Sequence, residues 1–308
     1  MSEAGSCGWQ TSLVDVTVVI NPAARNGAHT HAAVRAADRL RALGHTATLV
    51  SGGSAAESSE LIRAAVGHAD AVAVAGGDGI VNLALQELAG TGVPLGIIPA
   101  GTGNDLAAGL GIPTLEPEVA ADVIAAGHAS VLDLARLTRA DGSTQLYATV
   151  LASGFDSYVN DRANRMRWPR GHQRYNIAIL IEFLFLKGTP YTIEVDGQRV
   201  GGPFVMVSVG NGRTYGGGIP ICPAADLRDG MLDVTVVRPS GRLRLLRLLP
   251  TLYRGTHVAY PEVETFRGRT VRLEATGLTA YADGDPIATL PVTVEAVPGA
   301  ISVFAPVP

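Results

Sequence analysis

Lysine is almost absent from this chain of 308 residues, in which Lys187 is the only one and arginine supplies every other fixed cation. No G-x-x-x-x-G-K-[ST] run occurs, so a Walker-type phosphate loop with its lysine is excluded. No G-x-G-x-x-G follows the first predicted strand either. Gly101-Thr102-Gly103 matches only the opening of that fingerprint and follows the fourth predicted strand. A nucleotide would therefore have to be held by backbone amides or by a metal ion.

The chain also has few cysteines, short apolar runs and no excess of positive charge. The two cysteines, Cys7 and Cys222, do not form a disulfide framework and indicate a reducing compartment. Residues 1–12 lack the basic start and apolar run of a signal peptide, and the longest apolar stretch, residues 177–186, is too short to span a bilayer. The net charge of −4 argues against nucleic acid as a partner. We therefore expect a cytoplasmic protein whose membrane contact, if any, is peripheral.

The order of apolar segments predicts two domains after a disordered leader at residues 1–14. Residues 15–135 alternate short apolar strands with helical stretches, which is typical of a doubly wound, largely parallel sheet. Residues 136–308 are rich in short predicted strands and turns, which indicates a β-rich, sandwich-like domain. About one strand at the end of this segment is expected to return to the first domain. Ligands bind doubly wound sheets at the carboxyl ends of their strands.

Glycine clusters follow the predicted strands of the first domain. Gly76-Gly77-Asp78-Gly79 ends the third strand, residues 99–105 (PAGTGND) follow the fourth, and residues 21–27 (NPAARNG) follow the first. Glycines allow a backbone to approach a phosphate closely, and a helix start near Ile80 would add its positive end. Tight turns with Asp78, Asn104 or Asp105 as helix caps are the alternative. Three such loops on one sheet edge favour a nucleotide site.

Taken together, these motifs resemble the diacylglycerol kinase catalytic domain and its bacterial lipid-kinase relatives. Asn21-Pro22, Gly76 to Gly79 and Gly101-Thr102-x-Asn104-Asp105 match the order and spacing of the family motifs. The second half agrees in its glycine-rich segments at 210–218, in residues 229–233 (DGMLD) and in the late Asp283-Gly284-Asp285. The resemblance covers about residues 15 to 305. It implies an NAD kinase/diacylglycerol kinase-like α/β domain followed by a β-sandwich.

The resemblance also implies a set of site residues. ATP would contact residues of the three glycine loops, the end of the second strand and the helix after the third: Asn21, Ser51, Gly76, Gly77, Asp78, Gly79, Ile80, Asn82, Gly101, Thr102, Asn104 and Asp105. Mg²⁺ would be held in the second domain by the carboxylates of Asp226 and Asp229 and the backbone carbonyl of Met231. Asp285 is the candidate general base, with Asp283 as its neighbour and competitor.

Two residues depart from the family pattern. Ile80 stands where the family has the threonine of G-G-D-G-T, and its lack of a hydroxyl weakens the expected nucleotide contact. Asp285 stands where glutamate is commoner, which keeps the carboxylate but shortens its reach. Asp283-Gly284 is also a common hairpin-turn pair, and a turn of this kind can present a carboxylate.

Two arginine-rich segments are candidates for contact with a membrane. Residues 161–175 carry several arginines around Trp168, and the apolar residues 177–186 follow as a possible cover for an acyl chain. Residues 242–249 alternate leucine with arginine, as a short cationic amphipathic helix does. Ordinary surface arginines and packed helices are the alternative for both.

The function expected from these features is ATP-dependent transfer of the γ-phosphoryl group to a lipid hydroxyl. Diacylglycerol ranks first as the acceptor, and a sphingoid base, phosphatidylglycerol or an unusual alcohol stay open. A kinase of a soluble substrate, related to NAD kinases, is one alternative because that family shares G-G-D-G-T. A non-catalytic regulator that binds nucleotide or lipid is the other. The sequence leaves the oligomeric state open, including a homodimer.

Overall fold

The structure, a computed structural model, describes residues 14–20, 27–166, 168, 172–283 and 285–307. The predicted leader therefore lies outside the described residues except for Val14. The chain divides into two compact units, the first formed by Met1–Leu134 with Pro298–Pro308 and the second by Ala135–Val297.

The first unit alternates strands and helices. Its elements, in chain order, are β1 (Asp15–Ile20), α1 (Ala28–Ala42), β2 (Thr46–Ser51), α2 (Ala55–Ala65), β3 (Ala71–Gly76), α3 (Asp78–Leu88), β4 (Leu95–Pro99), α4 (Asp105–Gly109) and α5 (Pro117–Ala125).

The second unit is built mainly from strands. Its elements, including two strands that it shares with the first unit, are β5 (Ala129–Arg139), β6 (Thr144–Tyr147), β7 (Val150–Gly154), α6 (Phe155–Arg165), α7 (His172–Leu184), β8 (Thr189–Val195), β9 (Gln198–Phe204), β10 (Met206–Gly210), β11 (Leu232–Val237), α8 (Arg242–Leu252), β12 (Val263–Gly268), β13 (Thr270–Glu274), β14 (Thr279–Ala282), β15 (Asp285–Thr289) and β16 (Val292–Phe304).

The first unit contains a parallel sheet with the strand order β2-β1-β3-β4. The connection β1-α1-β2 runs one way along the sheet, and β2-α2-β3 runs back past β1. Because crossovers between parallel strands are right-handed, these two directions place α1 and α2 on opposite faces. The reversal makes a switch point between β1 and β3, and the carboxyl ends of strands at such a point are where ligands bind. Near its end, β16 adds Val303 beside Leu95 of β4 in parallel.

Small residues allow α1 to lie close to this sheet. Ala33, Ala36 and Ala37 of α1 are fully buried and belong to one cluster with alternate residues of β3, including Ala71 and Ala73. The side chains between them in β3 are valines that point to the opposite face, so both faces of the strand are covered by protein. This is why β3 reads as a continuous apolar run, as the doubly wound fold predicts. The predicted fold class of this half is confirmed.

The second unit is a sandwich of antiparallel strands. One sheet has the order β12-β11-β10-β7-β14-β15, and the facing sheet is formed by β9, β8, β13 and the adjoining part of β16. Leu232, Val234 and Val236 alternate along β11 and point into the core between the sheets. On the outer face, Val237 packs with Leu245 and Leu248 of α8. The predicted β-sandwich is therefore confirmed.

Turn and cap residues define several element ends. Ser54 begins α2, because its hydroxyl accepts the N–H of Glu57 at 3.2 Å. Asp196 and Gly197, both with positive φ, form the two-residue turn between β8 and β9 that the Asp-Gly pair predicts. In the described part of the chain, every helix is too short or too polar to cross a bilayer.

Candidate active site

The carboxyl end of β3 leads directly into a helix. Gly77 is the N-cap of α3, and α3 begins at Asp78, two residues before the start predicted near Ile80. Gly79 and Ile80 therefore lie in the first helical turn and not in a loop. The first N–H groups of a helix have no acceptor within it, and they point outward beyond the helix start with its positive partial charge. Backbone amides are thus available at the switch point for a phosphate.

The loop after β4 lies in backbone contact with the β3–α3 junction. The N–H of Ala100 donates to the carbonyl of Gly76 at 2.8 Å, which extends the pairing of β3 and β4 beyond both strands. A methyl group on Gly101 would overlap the Cα of Gly77. Position 101 therefore needs glycine, whereas a Cβ on Gly77 would be tight, at 3.1 Å from the Cα of Gly101.

The side chain of Asp78 joins these two loops. Its Oδ2 accepts the N–H of Asn104 at 2.9 Å and its Oδ1 accepts the N–H of Asp105 at 2.8 Å. Those amides begin α4, so Asp78 caps the following short helix and not its own. The sequence left open whether Asp78 caps a helix or binds a cation or nucleotide hydroxyl. The structure shows a cap of the helix across the loop.

Asn104 closes the second loop on itself. It has positive φ, its Oδ1 accepts the N–H of Gly101 at 3.1 Å, and its Nδ2 donates to the carbonyl of Gly101 at 2.9 Å. Both atoms of the amide are therefore used within the loop. The side chain of Thr102, which lies between these anchors, is exposed to solvent. The loop closed by Asn104 therefore exposes the hydroxyl of Thr102 to solvent.

The remaining residues assigned to nucleotide binding differ in their accessibility. Ser51 ends β2 beside Ile20 of β1 and is exposed. Asn82 lies in the second turn of α3 and is partly buried. Ile80 is only 4% exposed and packs over Gly76, so its side chain belongs to the core and only its backbone can face a ligand. Asn21 lies outside the described residues.

One polar residue near Gly76 carried no signal in the sequence. His29, in the first turn of α1, lies so that its Nδ1 is 3.4 Å from the point where a Cβ on Gly76 would stand. Its Nδ1 is buried and has no hydrogen-bond partner among the described residues. A buried nitrogen of this kind costs free energy unless a ligand or water satisfies it. A lone histidine after a glycine loop has no motif that would mark it in advance.

In the second unit, two predicted motifs meet at one residue. The carbonyl of Thr149 accepts the N–H groups of Asn211 and Gly212 at 2.9 and 2.8 Å. The Thr149 hydroxyl donates to Oδ1 of Asp283. Thr149, at the start of β7, thereby holds two segments in place. These are the glycine-rich segment after β10 and the turn between β14 and β15. Asp283 has positive φ and belongs to the predicted hairpin turn.

Asp285 is the first residue of β15, where it pairs with Ala282 across the hairpin. Its side chain is exposed, yet partial desolvation raises the pKa of its carboxyl above the ordinary value. A raised pKa makes a carboxylate a better proton acceptor near neutral pH. Asp283, in contrast, has its carboxylate engaged by Thr149.

The segment with the predicted magnesium ligands is a tight turn before β11. Oδ1 of Asp226 accepts the N–H of Arg228 at 3.1 Å, and Oδ1 of Asp229 accepts the N–H of Met231 at 2.9 Å. The other oxygen of Asp229 forms an ion pair with Arg267. Among the described residues, no cluster of three or more acidic, histidine or cysteine side chains is arranged to hold a metal.

The carboxylate of Asp233 adds negative charge beside this turn. Oδ2 of Asp233 is buried without a hydrogen-bond partner in the described part of the chain, and lies 3.7 Å from Nε of Arg267. Burial and the nearby Asp229 raise the pKa of Asp233, while Arg267 opposes this effect. Oxygen donors with unbalanced negative charge suit Mg²⁺. The oxygen donors of this turn therefore suit Mg²⁺, and Arg267 would compete with the ion for Asp229.

A buried acid at the start of α6 was not anticipated. The hydroxyl of Tyr215 donates to Oδ1 of Asp156 at 3.0 Å, whereas Oδ2 is buried without a partner among the described residues. Burial raises the pKa of Asp156 to about 6, and the hydrogen bond from Tyr215 opposes this only in part. Asp156 lies beside the glycine-rich segment that contains Tyr215, and a single aspartate at a helix start gives no hint of such burial.

A cavity of about 170 Å³ lies beside α6 and α7, and its walls combine aromatic and aliphatic residues with one cation and one acid: Phe155, Tyr158, Glu182, Phe185, Leu186 and Lys187. Glu182 forms an ion pair with Arg162, so this arginine from the predicted membrane segment is used within the protein. Trp168 in the same segment is 80% exposed. Arg167 and Arg170 lie outside the described residues.

Comparison with known proteins agrees with this architecture. Residues 15–137 match the model described as "Diacylglycerol kinase catalytic domain", and residues 149–305 match "YegS C-terminal NAD kinase beta sandwich-like domain". A protein of Mycobacterium tuberculosis (strain CDC 1551 / Oshkosh) named "Diacylglycerol kinase" is 47% identical over 293 residues, which cover 94% of this chain and 95% of the relative.

Two further similarities are more distant. A protein of Stenotrophomonas maltophilia (strain K279a) named "Probable lipid kinase YegS-like" is 31% identical over 263 residues, covering 81% of this chain and 84% of the relative. A crystal structure described as a diacylglycerol kinase from Bacillus anthracis str. Sterne superposes with a TM-score of 0.78 at 23% identity, covering 96% of this chain and 99% of that one. At that identity the superposition supports the fold alone.

The fold and these matches define the class of the protein as a kinase that transfers a phosphoryl group, with an α/β domain and a β-sandwich. Within that class, the chain belongs to the diacylglycerol kinase family of lipid kinases. The family assignment favours a lipid kinase over the NAD kinase-like alternative and an enzyme over a non-catalytic regulator. It also implies ATP as the co-substrate.

The contact between the two glycine loops predicts unequal effects of the same substitution at two positions. Gly101→Ala should lower the free energy of unfolding by about 1–3 kcal/mol, because the methyl group forces the backbones of Gly77 and Gly101 apart. Gly79→Ala, which meets nothing within 4 Å, should be neutral or stabilising by up to about 1 kcal/mol. Urea denaturation measures both. Similar effects of the two substitutions would contradict the contact.

The buried carboxyl of Asp156 predicts a pH-dependent stability term. Between its ordinary pKa of 3.8 and about 6, the folded protein binds more protons than the unfolded chain. This contribution to stability is therefore greatest at low pH and is lost as pH rises through about 6. Relative to wild type, Asp156→Asn should gain roughly 2 kcal/mol between about pH 4 and pH 7.

Denaturant titrations of wild type and Asp156→Asn across that pH range provide the measurement. Asp141→Asn is the matched control, since a hydrogen bond from Ser143 lowers the pKa of Asp141 and gives a trend of opposite sign. A wild-type curve parallel to that of Asp156→Asn at every pH would show that Asp156 does not titrate in this way.

Proposed function

We propose that the chain transfers the γ-phosphoryl group of ATP to the free hydroxyl of diacylglycerol, forming phosphatidic acid and ADP. The observation that carries this proposal is the pair of glycine loops joined by Asp78 at the switch point. The relative that is 47% identical and bears the name "Diacylglycerol kinase" supports diacylglycerol as the acceptor.

In this proposal the phosphates are bound by backbone amides. The first turn of α3 supplies N–H groups, and the frame closed by Asn104 holds the Thr102 hydroxyl at its tip. His29 offers an imidazole nitrogen near Gly76. Because the chain has no phosphate-loop lysine, the positive end of α3 carries more of the charge stabilisation than it would in a Walker-type site.

Asp285 accepts the proton of the attacking hydroxyl in this mechanism. The bond from that hydroxyl oxygen to the γ-phosphorus forms as the bond from phosphorus to the β-phosphate oxygen breaks, and the proton passes to the Asp285 carboxylate. The raised pKa of Asp285 suits this role. Asp283 holds the turn through Thr149 and keeps Asp285 at the start of β15.

Magnesium is proposed for the turn before β11, held by Asp226, Asp229 and the carbonyl of Met231. There the ion would neutralise clustered carboxylates and stabilise the turn. Asp233 adds to the negative charge at the turn, and Arg267 balances part of it.

The proposed base predicts a specific loss of turnover. Asp285→Asn should lower kcat by at least about a hundredfold, because amide nitrogen and oxygen do not accept the hydroxyl proton. The assay uses labelled ATP and dioctanoylglycerol in neutral detergent micelles, with NAD as the comparison acceptor. Thermal unfolding and ATP binding should be close to wild type.

Asp283→Asn separates the two carboxylates. It keeps an oxygen that can accept the Thr149 hydroxyl, so its kcat should fall much less than that of Asp285→Asn. Near-normal turnover in Asp285→Asn would remove Asp285 from the mechanism. Phosphorylation of NAD but not of dioctanoylglycerol would contradict the proposed acceptor.

The magnesium proposal predicts a thermal shift. MgCl₂ should raise the Tm of the wild type relative to EDTA, since binding to the folded state alone stabilises it. In Asp229→Ala the rise should disappear, whereas the surface variant Asp141→Asn should keep it. An undiminished Mg²⁺-dependent rise in Asp229→Ala would place the ion elsewhere.

A further inference from the structure

Helix α8 has apolar residues on two opposite sides. Leu245 and Leu248 are buried in the cluster outside the six-stranded sheet. On the other side, Leu243 is 76% exposed and Leu246 is 50% exposed. Pro250, also exposed, follows Leu243 and Leu246 at spacings of seven and four residues, which places all three on one face. A helix at a protein surface normally carries polar residues there.

Helix α1 follows the normal rule. In α1, the outward positions include Arg35, Asp38 and Arg39, which form ion pairs with neighbouring carboxylates or arginines. The exposed leucines of α8 depart from this rule, as do Ile179, Leu180 and Leu184 of α7, which are 37%, 60% and 49% exposed. Contiguous exposed apolar residues of this kind mark a surface that binds a partner.

The charged residues of α8 and of the segments next to it in the sequence have one sign. Residues 238–260 contain five arginines and neither aspartate nor glutamate, although the whole chain has a net charge of −4. Arg238 is paired with Glu264, and Arg244 lies 3.7 Å from Glu262. No ion pair involves Arg242, Arg247 or Arg254 in the described part of the chain, and Tyr253 beside them is 72% exposed.

We propose that this surface, made of Leu243, Leu246 and Pro250 with Arg242, Arg247 and Arg254, docks the protein on an anionic lipid membrane. It is called the α8 crest below. The helix would lie in the plane of the interface, with its leucines at the boundary between headgroups and acyl chains. The arginines would bind anionic headgroups, and Tyr253 would lie at headgroup depth.

The charge pattern favours a membrane over a second copy of the chain. A two-fold contact through the α8 crest would bring arginines of one copy close to those of the other, since the same patch is used on both sides. An anionic membrane provides opposite charge and an apolar layer together. The choice of a lipid surface rests on the proposed function, because a diacylglycerol acceptor resides in a bilayer.

The test is flotation of the protein with lipid vesicles. Wild type should bind vesicles of phosphatidylcholine with phosphatidylglycerol, bind pure phosphatidylcholine weakly, and lose anionic binding as salt rises. Leu243→Glu with Leu246→Glu should lower the partition coefficient at least about tenfold. The triple variant Arg242→Gln, Arg247→Gln and Arg254→Gln should lower the partition coefficient roughly a hundredfold.

Matched control variants carry the same chemical changes elsewhere. Leu115→Glu alters a leucine that is 89% exposed in the first unit. The triple variant Arg63→Gln, Arg136→Gln and Arg199→Gln removes the same number of positive charges from other surfaces. These controls should bind vesicles as wild type does. Equal losses in controls and crest variants, or no loss in either, would overturn the proposal. So would a wild-type dimer that Leu246→Glu dissociates and that binds no vesicles.

Kinase assays distinguish this proposal from the proposed function. The crest variants should keep wild-type kcat on dioctanoylglycerol in neutral micelles and lose activity on long-chain diacylglycerol in anionic vesicles. If wild type bound anionic vesicles but phosphorylated no diacylglycerol in either form, the docking surface would stand and the proposed acceptor would fall. Full activity of the crest variants on anionic vesicles would overturn the docking.

Discussion

The candidate nucleotide site depends on one carboxylate that accepts two backbone N–H groups. Asp78 holds the amides of Asn104 and Asp105 and thereby joins the loop after β4 to the start of α3. Charged acceptors form stronger hydrogen bonds than neutral ones, and here both oxygens are used. The Ala100 hydrogen bond and the close contact of Gly77 with Gly101 also connect the two loops. A site that uses amides in place of a lysine needs its loops fixed, because the position of each amide follows the backbone.

In the second unit, one threonine serves a comparable purpose. Thr149 contacts the segment after β10 through its carbonyl and the β14–β15 turn through its hydroxyl. Asp283 is thereby committed to structure, whereas Asp285 has the raised pKa that suits a base. The two carboxylates of this turn therefore differ in their surroundings. The pKa of Asp285 is raised because partial desolvation disfavours its charged form.

The fold was predictable because its signals are local and repeated. Apolar strands of β-branched residues and alanine between helices indicate a parallel sheet, and Asp-Gly pairs indicate hairpins. The positions of the glycine loops on that sheet followed from the same pattern. The start of α3 did not, because glycine and aspartate occur equally well before or within a first helical turn. The burial of Ile80 depends on its packing over Gly76, which no local pattern specifies.

Contacts between distant segments explain what the sequence did not reveal. The link from Asp78 to Asn104 spans 26 residues, that from Thr149 to Asp283 spans 134, and that from Tyr215 to Asp156 spans 59. Each joins residues that lie far apart in the sequence, so no single motif marks the contact. Burial of Asp156 likewise becomes visible only when helix, strand and loop are assembled.

The scarcity of lysine has a practical consequence at the cavity beside α6 and α7. Lys187 is exposed at its wall and carries the only side-chain primary amine of the chain. An acylating dye would thus attach to a single side chain, next to Phe185 and Leu186. With the α-amino group blocked, fluorescence from that position would report whether hydrophobic molecules enter the cavity, without any engineered cysteine.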